Sequence, residues 1–447
     1  LPPPPPAWVD QMLREVSPQR LRADVDRLAA FGTRHTLSAT DHPTRGIGAA
    51  RRWILEEFQK AADASGRPAA EAMRVKFEPW PVEPDGRRID VPVEVVNVVA
   101  EIPGRLENDG VAPAPRVYVL GHYDSRASNE MDREIDAPGA NDDGSGTALV
   151  IELVRVLSKQ RFDCTVVLIA TAGEEQGLIG ARKHAAWASA GGIDIRAVLS
   201  SDIIGDPTSP GGVVHADRVR VLSEGVPAVA MGSDDARGGG RLMFERLRRE
   251  SALGESSSRQ LARAIDAIAR LHRTEVRPML IFRADRFLRG GDHTPFHEAG
   301  FPAVRFTEVE EDYSRQHQDV RTENGARFGD VPEFVDENYL AGVVRLNAAA
   351  TAHLANAPAP PANARLITAN LANSTTLRWA PSTEADIAGY EVVWRATTSP
   401  DWEHAQDVGL VAEATLPVSK DNFFLGVRAY DRDGFRSLVS FPLAARE

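Results

Sequence analysis

From Met73 to Phe306 the chain repeats one pattern that restricts its fold more than any other feature. Short apolar runs (MRVKFEPWPV, VEVVNVVAEI, RVYVLG, CTVVLIAT, AVLSS and PAVRF) alternate with segments whose apolar residues recur at helical spacing, among them GTALVIELVRVLSKQ, GLIGARKHAAWASA and SSSRQLARAIDAIARLH. Strands alternating with amphipathic helices predict an α/β domain, a mostly parallel mixed sheet flanked by helices. A helical pattern that starts at Trp8 and stops near Gly32 precedes it, and VPEFVDENYLAGVVRLNAAATAHLA closes it. The stretch NAPAPPANA reads as a semi-rigid linker, assigned to 355–364. Beyond it TTLRWAPS, GYEVVWRAT, ATLPVS and NFFLGVRAYDRDG are short alternating strands, so 365–447 is expected to form a small all-β sandwich.

Two domains suit 447 residues, more than one core usually serves. A formal net charge of -12 argues against nucleic acid as a partner, since phosphate binding wants a basic face. No apolar run approaches the ~20 residues that span a bilayer. The lone Cys164 lies beside TVVLIA and is expected to be a buried structural thiol. The opening LPPPPPAW lacks an initiator Met, in keeping with a removed signal peptide and a secreted or periplasmic protein.

Between Gly121 and Gly146 the chain carries seven carboxylates: Asp124, Glu130, Asp132, Glu134, Asp136, Asp142 and Asp143. Charges this dense repel unless water or a cation separates them. His122 and Asp124 follow the run RVYVLG, Glu174 and Glu175 follow CTVVLIA, and Asp202 follows AVLSS. Open α/β sheets bind ligands outside the carboxyl ends of their strands, so parallel strands would bring these groups to one rim. Imidazole and carboxylate donors around a small volume suit zinc, cobalt or manganese. RGGDHTPFHEAGFPAVRF offers His293 and His297 as later histidines. The competing structural roles are helix capping by Asp142 or Asp143 and by the Glu174–Glu175 pair. Glu130 to Asp136 reads as a solvated loop, and GSDDARGGGRLMF as a flexible surface insertion without the Lys-Ser/Thr of a phosphate loop.

GHYDS, PGANDDGSG, AGEEQGL, SSD and GGDHTPF occur in this order, and together they resemble the co-catalytic zinc aminopeptidases, a family that includes glutamate carboxypeptidase and, more distantly, glutaminyl cyclase and the transferrin receptor ectodomain. The similarity runs from about Val95 to about His353. It implies two zinc ions: His122 and Asp202 on one, Glu175 and His293 on the other, Asp142 bridging. It also implies Glu174 as general base and Asp124 as the carboxylate that orients the His122 ring. Tyr313 and His317, in FTEVEEDYSRQHQDVRT, match a stretch that borders the substrate cleft, while Arg34 and His35 are left without a role. The placement of Trp379, Tyr390, Trp394 and Tyr430 resembles a fibronectin type III module, an accessory that could bind other macromolecules.

The resulting expectation is an aminopeptidase that acts on peptides with a free N-terminus. The alternatives are a carboxypeptidase or dipeptidase of the same family, a single-zinc glutaminyl cyclase, and a non-catalytic receptor-like ectodomain.

Overall fold

The computed structural model describes residues 6–228, 239–369 and 371–446. Helices α1 (Trp8–Leu13), α2 (Pro18–Ala29) and α3 (Gly46–Ala64) precede strands β1 (Arg74–Val82) and β2 (Val93–Ile102). The short α4 (Arg105–Asn108) leads to β3 (Arg116–His122), α5 (Gly144–Leu157), β4 (Thr165–Thr171), α6 (Ile179–Ala190) and β5 (Ile195–Ser201). Then come β6 (Arg218–Leu222), α7 (Gly239–Arg249), α8 (Ser257–His272), β7 (Arg277–Ile281), α9 (His293–Glu298) and β8 (Ala303–Thr307). A small hairpin, β9 (Arg321–Glu323) and β10 (Ala326–Phe328), precedes α10 (Glu337–Asn356). The last helix therefore runs two residues into the stretch expected to be linker. The insertion GSDDARGGGRLMF lies in part outside the described residues, and its last six residues begin α7.

Strands β1 to β8 form one mixed sheet in the order β1-β2-β4-β3-β5-β8-β6-β7. Its centre, β4, β3, β5 and β8, is parallel, whereas β1, β2 and the β6–β8 pairing are antiparallel. β6 and β7 are five-residue strands with exposed positions, too short and too polar to stand out as apolar runs. The central strands are covered on both faces. Val117 and Val119 of β3 point into a core shared with α2, α3, α5 and α10, while Tyr118 and Leu120 point to the opposite core shared with α6 and Phe296 of α9. This period-two division is what a strand buried on both sides requires. Cys164 is buried in the first core, and burial pushes its thiol up to about 12.

The helix-side connection is tightest where β3 meets α5. A Cβ on Gly121 would lie 2.5 Å from the Gly146 carbonyl, and one on Gly146 would collide with the Ser201 carbonyl. Glycine at both places lets the start of α5 press onto the ends of β3 and β5, where the candidate ligands lie.

The remaining strands are β11 (Arg365–Ile367), β12 (Thr375–Arg378), β13 (Ile387–Ala396), β14 (His404–Gly409), β15 (Glu413–Leu416), β16 (Phe423–Asp431) and β17 (Leu443–Ala445). They form a four-stranded sheet, β15-β12-β11-β17, and a three-stranded one, β14-β13-β16. Leu377, Trp379, Tyr390, Val392, Leu425 and Val427 fill a core between them, an arrangement compatible with a fibronectin type III-like sandwich.

This unit is fastened to α8 by charge as well as by packing. Glu255 accepts from Arg263 Nη1 at 2.7 Å and from Arg395 Nη2 at 2.5 Å, with all three side chains at most 4 % exposed. Trp402 donates its indole N–H to Gln260 at 3.1 Å, so it serves the junction rather than an exposed sticky surface. Replacing Glu255 by Ala leaves two guanidinium groups buried without their carboxylate. The expected cost is about 3 kcal/mol, read as a lower urea midpoint, and a midpoint within error of the parent would contradict it.

Candidate metal centre

The four parallel strands end at one rim. His122 is the last residue of β3 and pairs in register with Thr171 of β4, so Glu174 and Glu175 follow at the same edge. Asp202 follows β5 directly, and its amide donates to the Phe306 carbonyl of β8 at 3.1 Å. Asp142 arrives from the long loop after β3, next to the N-cap of α5.

Two groups of side chains converge there, His122 with Glu174 and Asp202, and Asp142 with Glu175 and His317, each with donor atoms within 4.8 Å of one another. Asp142 joins the two. His122 Nε2 lies 3.3 Å from Asp142 Oδ1 and 3.7 Å from Asp202 Oδ1, while His317 Nε2 lies 2.9 Å from Asp142 Oδ2 and 3.1 Å from Glu175 Oε2. His122 Nε2, Glu175 Oε1 and Asp202 Oδ1 are buried without any hydrogen-bond partner. Orphaned polar atoms of this kind are costly in a folded interior. Here they are nitrogen and carboxylate oxygen of residues in the two groups, the donor set a zinc-like divalent cation takes, so the residues fit the metal.

The electrostatics agree. Burial opposes the imidazolium of His122, but Glu174, Asp124, Asp142 and Asp202 outweigh it and hold the group well above its ordinary value. Burial disfavours a charged Glu174, and Asp202, Glu175 and Asp292 add to this against His122, so its carboxyl sits well above the usual range. His317 is also raised, to about 10: burial again opposes the charge, but Glu175 and Asp142 prevail. A rim that concentrates protons in this way is one where a cation can compete for the same ligands.

Of the histidines expected to bind metal, His122 is in place and His293 is not. His293 begins α9, and its Nε2 lies 2.8 Å from the Ala284 carbonyl and 3.7 Å from Asp285 Oδ2. Its Nε2 is engaged by the segment before the helix and its buried Nδ1 has no partner, but the residue belongs to neither group, and His317 stands at Asp142 and Glu175 instead. His317, expected as a substrate contact, has a backbone φ of 54°, in the left-handed region, within the loop that follows β8. Tyr313, its expected companion, is 61 % exposed and does not line the cleft that holds the rim. His297 packs through Ser258 Oγ at 2.8 Å and the Val226 carbonyl at 3.1 Å.

The surrounding residues hold the rim in shape. The Asp124 backbone carbonyl is the near partner of His122 Nδ1, at 3.1 Å against 3.7 Å for its carboxylate. That carboxylate accepts the amides of Glu174 at 3.3 Å and Glu175 at 3.1 Å, so it orients the turn bearing both acids more than the His122 ring. Asp143 caps α5 through the Gly146 amide and also accepts the His122 amide at 3.0 Å, so capping falls to the second aspartate of the pair. Asp330 accepts the amides of Asn141 and Asp142, the latter at 2.7 Å, and burial raises its carboxyl to about 7. Its sole sequence signal is FGD, too common to have singled it out. Arg34 is fully buried and donates to the carbonyls of Tyr123, Leu28 and Gly139, fastening the loop under Asp142, and His35 contacts the Glu130 carbonyl. The acidic loop is more pinned than expected: Arg45 holds Asp136 at 2.6 Å and Arg88 holds Glu130 at 3.0 Å.

Comparison with known proteins places the chain in a family. A model of Peptidase family M28 matches residues 97–333. A probable zinc metalloprotease of Leptosphaeria maculans is 42% identical over 442 residues, covering 98% of both chains. One from Pyricularia oryzae is 43% identical over 447 residues, covering 98% of this chain and 85% of the other. Among solved structures, the LapA aminopeptidase of Legionella pneumophila superposes with a TM-score of 0.51 at 17% identity, over 78% of this chain and 75% of that one. An aminopeptidase from Aneurinibacillus sp. superposes with a TM-score of 0.51 at 14% identity, over 78% of this chain and 96% of that one. These two likenesses concern the fold alone. With a family match spanning more than half its length and relatives aligned over nearly all of it, the chain belongs to peptidase family M28.

Proposed function

We propose that this protein is a two-zinc aminopeptidase that hydrolyses the first peptide bond of substrates with a free N-terminus. The observation that carries the reading is the position of Asp142, one oxygen facing His122 and the other facing His317. In this assignment His122 and Asp202 would hold one ion and Glu175 and His317 the other, with Asp142 offering one oxygen to each group. Bound zinc would polarise the scissile carbonyl and make a water acidic enough to attack near neutral pH. Glu174 accepts the proton of the attacking water and returns it to the leaving nitrogen, which departs as a neutral amine. Asp124 positions Glu174 and Glu175 through their amides, and Arg126 Nε braces Glu175 Oε2 at 3.0 Å.

The test combines metal removal with a substrate panel. Dialysis against a chelator is expected to abolish hydrolysis of amino-acid 4-nitroanilides, and added zinc to restore it. N-acetylated versions of the same anilides should remain uncut. Hydrolysis of blocked peptides with no action on free-amine substrates would overturn the aminopeptidase assignment, and full activity in chelator would overturn the metal.

A further inference from the structure

The two cation groups open into a cleft of ≈ 300 Å³ whose charge is unusual for a site that receives a free amine. Its lining includes five arginines, Arg88, Arg126, Arg286, Arg289 and Arg305. Of the carboxylates in the same lining, Asp142, Glu175 and Asp202 are already assigned to cations and Glu174 to the proton of the attacking water. None is left over to meet a substrate ammonium.

The arginines are not equivalent. Arg126 is used on Glu175 and on His317 Nδ1 at 2.7 Å, Arg88 on Glu130 and the Glu175 carbonyl, and Arg286 on Asp285 and Glu311. Arg305 is fully buried. Its Nη1 donates to the Gly290 carbonyl at 2.8 Å and to Asp285 Oδ2 at 3.3 Å, and its Nη2 is ion-paired with Asp202 Oδ2 at 2.9 Å, which leaves Nε as the N–H without a partner. Arg289 is exposed, and among the described residues no carboxylate pairs with it. Beside it Phe287 and Leu288 are 79 % and 104 % exposed, an apolar lip on the same loop. The unpaired guanidinium of Arg289 at the mouth is complementary to an anion, because arginine's planar fork matches a carboxylate, and the buried Arg305 below it keeps its Nε–H unused.

From this we infer that the cleft recognises a carboxylate on the peptide substrate, received by Arg289 at the mouth with Arg305 supplying positive charge from below. The inference rests on the peptidase assignment but not on which end of the chain is cut. The carboxylate has two sources: the side chain of an N-terminal Asp or Glu, or the α-carboxylate of the last residue.

Initial rates on the 4-nitroanilides of Glu, Asp, Leu and Lys, and on N-acetyl dipeptides ending in Glu, Leu or Lys, separate the two. A kcat/KM for the Glu and Asp anilides roughly tenfold above that for Leu assigns the side chain. Cleavage of the N-acetyl dipeptides whatever their last side chain assigns the α-carboxylate, and then the cleft inference stands while the aminopeptidase reading falls. Equal rates on Leu, Lys and Glu anilides, with the N-acetyl dipeptides uncut, overturn the inference and leave the aminopeptidase standing. Arg289→Ala is expected to lower the acidic-over-neutral ratio about tenfold, and Arg289→Glu to turn the preference toward Lys. An unchanged ratio in both removes Arg289 from recognition and overturns the proposal. Calorimetric titration with N-acetyl-L-glutamate against N-acetyl-L-leucinamide reads the cleft without turnover. Selective binding of the first, lost in Arg289→Glu, supports the inference, and no binding of either overturns it.

Discussion

Glu174→Gln is expected to lower kcat between about 10²- and 10⁴-fold, the usual worth of a positioned general acid–base group, while zinc content stays at the parent level. The amide keeps the shape of the side chain but cannot take a proton from water. Placement supports the role, since Glu174 lines the cleft beside His122 and Asp202 and its amide is held by Asp124. Geometry leaves one rival: Glu174 groups with His122 and Asp202 closely enough to be a ligand itself. Steady-state kinetics together with metal quantification separate the two. A variant that loses activity and one equivalent of zinc makes Glu174 a ligand, and one that keeps both makes it neither.

The second large effect concerns the two late histidines. His317→Ala should lose one zinc equivalent and at least about 10² in kcat/KM, because it removes the nitrogen that lies beside both Asp142 Oδ2 and Glu175 Oε2. His293→Ala should keep its full metal complement, since that ring is engaged by Ala284 and Asp285. Metal analysis of the two purified variants decides the matter. Zinc lost from the His293 variant and retained by the His317 variant would reverse the assignment.

The histidines also show how far the site was legible. GGDHTPF is a compact pattern and drew attention to His293, whereas SRQHQD is an unremarkable polar loop. The usable signal was position: His317, like Glu175 and Asp202, follows a strand of the central parallel set, His122 ends one, and His293 precedes one. The role of Asp124 was half visible. The family resemblance implied that it orients the His122 ring, but its carboxylate turns to the Glu174 and Glu175 amides, fifty residues along the chain. α3, β6 and β7 escaped notice for related reasons. α3 begins after a polar stretch without a capping side chain, and the two strands are short and half exposed, so neither announces itself by period.

The sequence by itself determined the α/β architecture, the buried thiol, and the chemical identity of most of the rim. Those follow from local regularities: apolar period, small residues where backbones touch, and acids placed just past strand ends. Tertiary structure alone decided which histidine meets Asp142, which aspartate of the pair caps the helix, and that five arginines border one cleft. These are outcomes of distant loops meeting, and pairwise distances between residues far apart in the chain have no periodic trace along it.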